Sequence, residues 1–362
     1  MNSTFHSPVY IIEKSKILHN IQQIITYANG RRVYAVLKAN GYGLGNLEFA
    51  KLCIEGGLRC FAANDIHCIE ELSASGLVFD DLLFLASPNP ADIPRLLDLH
   101  VTFTVANDAD AKNLMPYHVN AHLKLDSGMG RRGFMTSTPY DIAELYQKYD
   151  SINFTGIYTH FANSANRKYT KKQFDRFMQV INTLKSENIS PGICHCCSSS
   201  SAFYYNEMLL DGIRVGSAIL GRLPRSCNLT FHRTGICSVA VETVKSLPKG
   251  STVGYGCTYK ARHDLTIALC PLGTHNGFGS TCKSGAQIFP AFAKDIVRRI
   301  INYFSKKDCL YGIINGHKCR VLGNICSEMT VLDVSDIICH AGDVAQFDIN
   351  PIVLNDVPVL FI

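Results

Sequence analysis

The stretch Val33-Tyr-Ala-Val-Leu-Lys38-Ala-Asn-Gly-Tyr42-Gly-Leu-Gly45 decides how the chain is built. Val33 to Leu37 is short, apolar and rich in β-branched residues, the mark of a buried strand. It stops at Lys38, and Gly41, Gly43 and Gly45 then turn the chain into the amphipathic run Asn46 to Gly56. A lysine at the carboxyl end of a buried strand stands where parallel α/β folds gather their chemistry. An ammonium there desolvates and gives up its proton readily, as a Schiff-base lysine must. A lysine that caps a strand and snorkels to solvent has the same local sequence, so both readings stand at this point.

Outward from this stretch the pattern repeats. Apolar strands at Val33–Leu37, Cys60–Ala63, Leu82–Leu85, Thr102–Val105, Val119–Leu125, Phe154–His160, Ile193–Cys197 and Ile213–Leu220 alternate with helical runs. The clearest of those runs are Asp65–Ser75, Pro90–Leu97, Asp108–Met115, Pro139–Lys148 and Thr170–Glu187. Eight strand–helix units in succession predict an α/β fold closed as a (β/α)8 barrel of the TIM type; a doubly wound open sheet fits fewer units. After about Ser226 the texture changes. Short alternating runs (Ser238–Val244, Asp264–Leu269, Cys309–Ile314, Lys318–Leu322, Thr330–Val334, Val344–Phe347, Pro358–Ile362) are broken by Gly, Asn, Asp and Pro, which predicts an antiparallel all-β domain. Ala291–Phe304, apolar at helical spacing, predicts an inserted helix, and Ile314-Asn-Gly-His317 a two-residue hairpin turn. The expected domains are a barrel over 9–226 and a β domain over 227–362 together with 1–8.

Bulk properties narrow the function. The 362 residues are 47% hydrophobic and 18% charged, a globular composition with room for two domains. The net charge is +5, but the basic residues are scattered, with no Lys/Arg-rich run to track a nucleic acid. A mild positive excess suits an anionic small ligand. No apolar stretch reaches the ~18 residues of a membrane span, and the polar Met1–Pro8 does not read as a signal peptide. The expectation is a cytosolic protein that engages neither membrane nor nucleic acid. Its 15 cysteines lie mostly inside apolar runs and read as free thiols. Cys194-His195-Cys196-Cys197 has a CxxC spacing but no second pair, and strand alternation sends its members to opposite faces, so no metal site is expected.

A barrel places its chemistry where its strands end. Lys38 ends the first strand; Lys124, Asp126 and the loop Ser127-Gly-Met-Gly-Arg131-Arg132 end the fifth; His160 ends the sixth. His195 and the serine run Ser198 to Ser201 close the seventh, and Arg214 with Val215-Gly216-Ser217 belongs to the eighth. Serines at a helix start and a glycine that admits close backbone approach describe a phosphate cup, although serine runs are also ordinary N-caps. Joined to the lysine, they describe a phosphate-bearing aldehyde cofactor, of which pyridoxal phosphate is the common one.

These blocks resemble the alanine racemases, pyridoxal-phosphate enzymes of the barrel fold type. Ala35-Val-Leu-Lys38-Ala-Asn-Gly-Tyr42-Gly is similar to their cofactor-lysine signature. His122-Leu-Lys124-Leu-Asp-Ser-Gly-Met-Gly-Arg131, Tyr158-Thr-His160-Phe-Ala, Arg214-Val-Gly-Ser-Ala and Val253-Gly-Tyr255-Gly-Cys-Thr-Tyr follow in the family's order. The resemblance implies a head-to-tail homodimer whose sites are each shared between a barrel and a partner's β domain. It implies that Lys38 carries the cofactor and then acts as one acid/base, with a partner's Tyr255 as the other across the ring, since inversion at Cα needs two faces served. Tyr42, His160, Ser198, Ser199, Arg214, Gly216 and Ser217 are the implied cofactor-binding set. Arg214 faces the pyridine nitrogen, and because arginine holds its protons it leaves that nitrogen largely unprotonated, disfavouring transamination. Arg131 and Ser327 are implied to bind substrate, and Lys124 matches a position that is often carbamylated.

The chain also departs from the family. Gly273-Thr274-His275-Asn276-Gly277 stands where Gly-Tyr-Ala-Asp-Gly is usual, Cys326-Ser327-Glu328 where Cys-Met-Asp is usual, and Ser198 where an asparagine is usual. A late phosphate-binding tyrosine has no clear match in Asp348–Leu354. The expected activity is racemisation of alanine. The alternatives are a racemase for serine or a larger amino acid, a barrel-type amino-acid decarboxylase, and a pyridoxal-phosphate-binding protein without catalysis.

Overall fold

The computed structural model describes residues 6–280, 297 and 310–362. Within it the chain divides into two compact units, one of residues 14–234 and one of residues 1–13 with 235–362.

The first unit is the barrel. Eight parallel strands, Arg32–Leu37, Cys60–Ala63, Asp81–Phe84, Phe103–Val105, Asn120–Asp126, Asn153–Tyr158, Ile193–Ser198 and Gly212–Val215, form one sheet. Their near-continuous apolar character reflects burial on both faces, as parallel strands require. The ring closes between the third and fourth strands through a parallel bridge, Leu83 opposite Thr102, with Thr102 donating to Leu82 O at 2.9 Å and Phe84 donating to Thr102 O at 2.8 Å. Helices fill the crossovers. The longest, Arg167–Ser186, buries Thr170, Gln173, Phe177, Val180, Ile181 and Leu184, a stripe at helical spacing. Burying a side chain such as Phe177 contributes roughly 1.5–3 kcal/mol.

Alternation along the strands turns Tyr34 and Val36 inward from the first, His122 and Lys124 from the fifth, Tyr158 from the sixth, His195 from the seventh and Arg214 from the eighth. Parallel register sets Arg214 beside Tyr34 and Ser198, and Tyr158 beside Lys124 and His195. A barrel interior is ordinarily branched aliphatic. Here two histidines, a lysine and an arginine are buried in it.

Two expectations about the limits of the barrel change. The eighth strand ends at Val215, not Leu220, because at Gly216 the chain turns: Ile219 donates to Gly216 O at 3.0 Å and Arg222 to Ser217 O at 2.8 Å. The apolar Ala218-Ile219-Leu220 is buried, but as a turn. The other change is at the domain boundary. Val9–Ile12 pairs with Gly235–Ala240 and Val359–Phe361, which places it in the β unit rather than in a barrel beginning at residue 9.

The second unit holds a six-stranded sheet with Val9–Ile12 inside it, a three-stranded sheet of Thr243–Leu247, Leu265–Cys270 and Thr330–Asp333, and a two-stranded ribbon of Thr252–Val253 and Tyr259–Lys260. Among the described residues, pairing in this unit is antiparallel except between Val9–Ile12 and Val359–Phe361. The expected single run Ser238–Val244 is two strands, broken after Ala240 as the chain passes between sheets. Ile314 faces His317 across Asn315 and Gly316, whose φ values of 50° and 80° give the tight turn that suits right-twisted strands. The helix expected at Ala291–Phe304 lies outside the described residues, apart from Val297. Among the described residues no helix is long and apolar enough to cross a membrane.

Candidate active site

Lys38 is itself extended, and the chain behind it winds left-handed. Ala39, Asn40, Gly41, Tyr42 and Gly43 have φ of 48°, 51°, 59°, 58° and 84°. Three of these are not glycine, and an L-residue there costs roughly 1–2 kcal/mol. The turn is held by Tyr42 N–H donating to Lys38 O and Gly43 N–H to Ala39 O, both at 2.9 Å. It buries the Tyr42 ring against Phe49, with centroids 5.9 Å apart, and leaves the Lys38 Nζ 5.4 Å from the Tyr42 ring centre. Strain kept beside a reactive side chain is a recurrent feature of functional sites.

At this end of the barrel lies a cavity of about 390 Å³. Lys38, Tyr42, Lys124, Arg131, His160, Ser198, Ser199, Arg214, Gly216 and Ser217 all line it, so ten of the residues singled out in the sequence meet in one place. Its lining carries five cationic side chains, Lys38, Lys124, Arg131, Arg132 and Arg214, and no carboxylate. Such a cavity is built for an anion.

One end of it is a cup of backbone and hydroxyls. Ser199 Oγ accepts from Gly216 N–H at 3.1 Å and from Ala218 N–H at 3.4 Å, while Ser198 and Ser201 cap the helix Ser199–Tyr204 reciprocally. Gly216 has no room for a side chain, since a Cβ there would overlap the Tyr42 hydroxyl. Gly216→Ala is therefore expected to displace Tyr42 and weaken binding of a phosphorylated ligand about ten-fold or more, the equivalent of the ~1–3 kcal/mol that overpacking costs. Fluorescence titration with pyridoxal phosphate measures it, and unchanged affinity would place the phosphate elsewhere.

Arg214 lies across the floor and is wholly buried. It donates to His195 Nδ1 at 2.7 Å, His195 O at 3.2 Å, Thr159 O at 2.7 Å and His160 Nδ1 at 3.4 Å, and its guanidinium stacks 4.8 Å from the Tyr158 ring centre. Burial, then the Arg214 charge, pushes the His160 imidazole down to about 3 and that of His195 well below its ordinary value. Burial likewise lowers His122 to about 4. All three are neutral at pH 7.

These neutral histidines dictate a pH dependence. In the unfolded chain they titrate near 6.5, so between there and about 4 the unfolded state binds protons that the folded state refuses. Stability is whole above that window and falls as pH drops through it, by at most ~1.4 kcal/mol per pH unit for each histidine. Thermal unfolding of the cofactor-free protein should show a declining Tm between pH 7 and 4, with a shallower decline in His160→Gln. An unaltered slope would show that this imidazole is not among the groups responsible.

Lys124 is buried, with its Nζ 5.6 Å from the Tyr158 ring centre. Burial, then Arg132, Arg131 and Arg214, pulls its ammonium down to about 8. The loop behind it is moulded on Asp126, whose carboxylate accepts from the N–H groups of Gly128, Met129, Gly130 and Arg131 at 2.6–3.2 Å. Burial alone would raise that carboxyl; the four donors outweigh it and keep the pKa low. The sequence assigned no role to Asn64, Arg132, Tyr158 or His122. His122 and Tyr158 carried a usable signal, because they sit at even spacing from Lys124 and His160 and therefore share the inward face.

Tyr255 and Ser327 belong to the β unit. Tyr255 stands in the turn of the two-stranded ribbon, between Gly254 and Gly256 with φ of 71° and 75°. Asn324 Nδ2 donates to its carbonyl at 3.1 Å, so the backbone is held while the ring is 76% exposed. Thr274 N–H donates to Cys326 O at 3.0 Å and His275 N–H to Ser327 O at 2.9 Å, joining the two segments that depart from the family pattern. Tyr255, Thr274 and Asn324 line one depression of this unit. In the CxxC segment, the thiols of Cys196 and Cys197 both reach Met208 O, at 3.3 and 3.5 Å.

Comparison with known proteins follows the same division. Residues 12–224 match the model of the alanine racemase N-terminal domain, and residues 237–350 that of the C-terminal domain. The alanine racemase of Desulforamulus reducens is 30% identical over 341 residues, covering 90% of this chain and 85% of the relative. Among solved structures, alanine racemase from Acinetobacter baumannii superposes with a TM-score of 0.81 at 17% identity, covering 99% of this chain and all of that one. Alanine racemase from Bartonella henselae with covalently bound pyridoxal phosphate gives 0.80 at 17% identity, covering 98% and 99%.

Proposed function

The chain belongs to the alanine racemase family, and from that premise we propose that it interconverts L- and D-alanine with pyridoxal phosphate as cofactor. The observation that carries the proposal is the cavity itself: five cations, no acid, and a lysine on a strained turn at the strand ends.

The residues present fit pyridoxal phosphate. The Ser199–Gly216–Ala218 cup, closed by Tyr42 over a glycine that tolerates no Cβ, is shaped for a phosphate. Ser198 and Ser217 add hydroxyls to the same end. Bound there, the cofactor draws electrons from the amino acid joined to it and so acidifies Cα–H. Lys38 would hold the cofactor through its aldehyde, and its freed amine would move a proton at Cα on one face. Tyr255 of a second copy serves the opposite face, which makes a head-to-tail homodimer the working unit. Its exposed ring on a restrained turn supports that role, since a ring meant for another chain stays uncovered in its own.

Arg214 would face the cofactor's ring nitrogen, with His160, neutral and accepting from Arg214, beside the guanidinium. A guanidinium only donates, so Arg214 would leave that nitrogen largely unprotonated, which would favour return of the proton over transamination. Arg131 receives the substrate carboxylate, with Ser327 beside it from the second copy. Lys124 is suited to carbamylation: about half of it is free amine near pH 8, and that amine attacks carbon dioxide with loss of one proton. The resulting anion would satisfy Arg131 and Arg132. Thr274 and Ser327, both smaller and more polar than usual in the family, favour a second substrate class, serine.

The test is a panel of L-amino acids in heavy water with the reconstituted enzyme, following loss of the Cα proton by NMR and chirality by enzymatic assay. Exchange with inversion on alanine is expected, with serine next. Release of carbon dioxide, or no exchange on any amino acid, would overturn the proposal.

A further inference from the structure

Beneath the cavity the polar contacts continue to His122, which is not among the cavity's lining residues. Among the described residues Arg214 hydrogen-bonds neutral acceptors alone: two carbonyls, His160 and the Nδ1 of His195. The His195 ring lies sandwiched between Tyr158, centroids 4.9 Å apart, and Tyr34, 5.4 Å apart, so its two nitrogens face outward along one line. One nitrogen meets Arg214. The other, Nε2, is 2.9 Å from Nδ1 of His122.

Proton counting along that line has a single solution. A guanidinium can only donate, so His195 Nδ1 is a bare lone pair and its proton sits on Nε2. His195 Nε2–H then donates to His122, so His122 Nδ1 must also be bare, and its own proton sits on Nε2. Both rings are neutral, in keeping with their burial. The fold reserves space for this arrangement at Gly156, where any Cβ would collide with the far edge of His122.

We infer that His122 is a positioning residue for the reaction: by accepting the Nε2 proton of His195 it fixes the tautomer that keeps a lone pair aimed at Arg214. Without that acceptor, His195 regains the choice of carrying its proton on Nδ1. A donor would then face a donor, and the guanidinium would lose its in-plane anchor and swing toward the carbonyls of Thr159 and His195. The kinetic consequence rests on the racemase function proposed above; the tautomer does not.

Two variants separate the chemistry from the packing. His122→Asn retains an acceptor oxygen close to the position of Nδ1, whereas His122→Leu fills the space and removes it. In the reconstituted holoenzyme His122→Leu should lose about ten-fold in kcat with KM for alanine little changed, a size set by stranding one buried donor. His122→Asn should stay within about three-fold of the parent, since the hydrogen bond is remade. Two-bond nitrogen–proton correlation spectra of the full chain, labelled in its histidine rings and recorded before cofactor is added, read the tautomer directly, with His195 assigned from the His195→Gln spectrum. His195 should be protonated on Nε2 in the parent and in His122→Asn, and on Nδ1 in His122→Leu. Equal losses in both variants, or unchanged kcat in His122→Leu, would overturn the inference. So would a parent spectrum with the proton on Nδ1, which decides the matter even if His122→Leu does not fold. A parent with the expected tautomer but no racemase activity would instead overturn the proposed function alone.

Discussion

Lys38→Ala should bring racemisation down by at least about 10³–10⁴-fold, because it removes both the cofactor's covalent anchor and one of the two groups that exchange the Cα proton. The expectation is sharp because the cavity offers a competitor. Lys124 is also an amine within it, buried, with its ammonium pulled down to about 8, and on nucleophilicity alone it is a credible partner for an aldehyde. What separates the two is their setting. Lys38 follows a strand and precedes a left-handed turn that costs backbone energy and whose product is the placement of Lys38 beside Tyr42 and the Gly216 cup. Lys124 sits among Arg131, Arg132 and Arg214, which favour an anion at that point rather than an imine. Borohydride reduction followed by peptide mapping decides between them. The parent should carry reduced cofactor on Lys38, and Lys38→Ala should carry none and be colourless. A modified Lys124 peptide in the parent would reverse the assignment, while Lys124→Ala should keep the adduct and lose substrate affinity.

The strands were legible because periodicity was: Cys60–Ala63 and Val344–Phe347 match their apolar runs residue for residue. Ile213–Leu220 misled because Val215 and Ile219 are equally apolar, and only the packing of Tyr42 onto Gly216 forces the chain to turn between them. The expected barrel began at residue 9 and no strand was read at Val9–Ile12; its place in the β unit has no local signal, since its partners lie more than 220 residues away in sequence. Side-chain identity marked Lys38, Arg214 and the serine run, whose residue types are rare in barrel interiors. It could not show that Arg214 is held by two carbonyls and two imidazoles, nor that His122 meets His195 beneath it. Those facts depend on register, which for parallel strands is set by crossovers with no short-range signature. His122 illustrates the limit: alternation from Lys124 turns it inward, and only the pairing of His122 with Gly156 and of Tyr158 with His195 brings the two rings together.

Tyr255→Phe should divide the reaction into halves. The two enantiomers have equal free energy, so kcat/KM must fall by one common factor in both directions, and net racemisation rates cannot by themselves show which face lost its base. Proton exchange can. With two bases, the one that remains still removes the Cα proton of its own enantiomer and returns a deuteron from solvent on the same face. In heavy water, one enantiomer of alanine should therefore keep washing out its Cα proton at close to the parent rate. The other should slow by about 10²–10⁴-fold, the usual worth of a positioned acid or base. The substitution is structurally mild, because the phenol is exposed and what holds the turn is the Tyr255 carbonyl, which accepts from Asn324 and survives the change. Folding and cofactor binding should accordingly be unaltered, and the effect confined to the proton. Mixing Tyr255→Phe with Lys38→Ala extends the test to the shared site: if each cavity takes its tyrosine from a second copy, hybrid dimers will contain one site with both bases and one with neither. Activity should then rise on mixing two nearly inactive proteins, to at most about a quarter of the parent's for random reassortment with one intact site in each hybrid. No recovery on mixing, with exchange slowed equally for both enantiomers, would mean that Tyr255 supports the fold of its own unit and carries no proton.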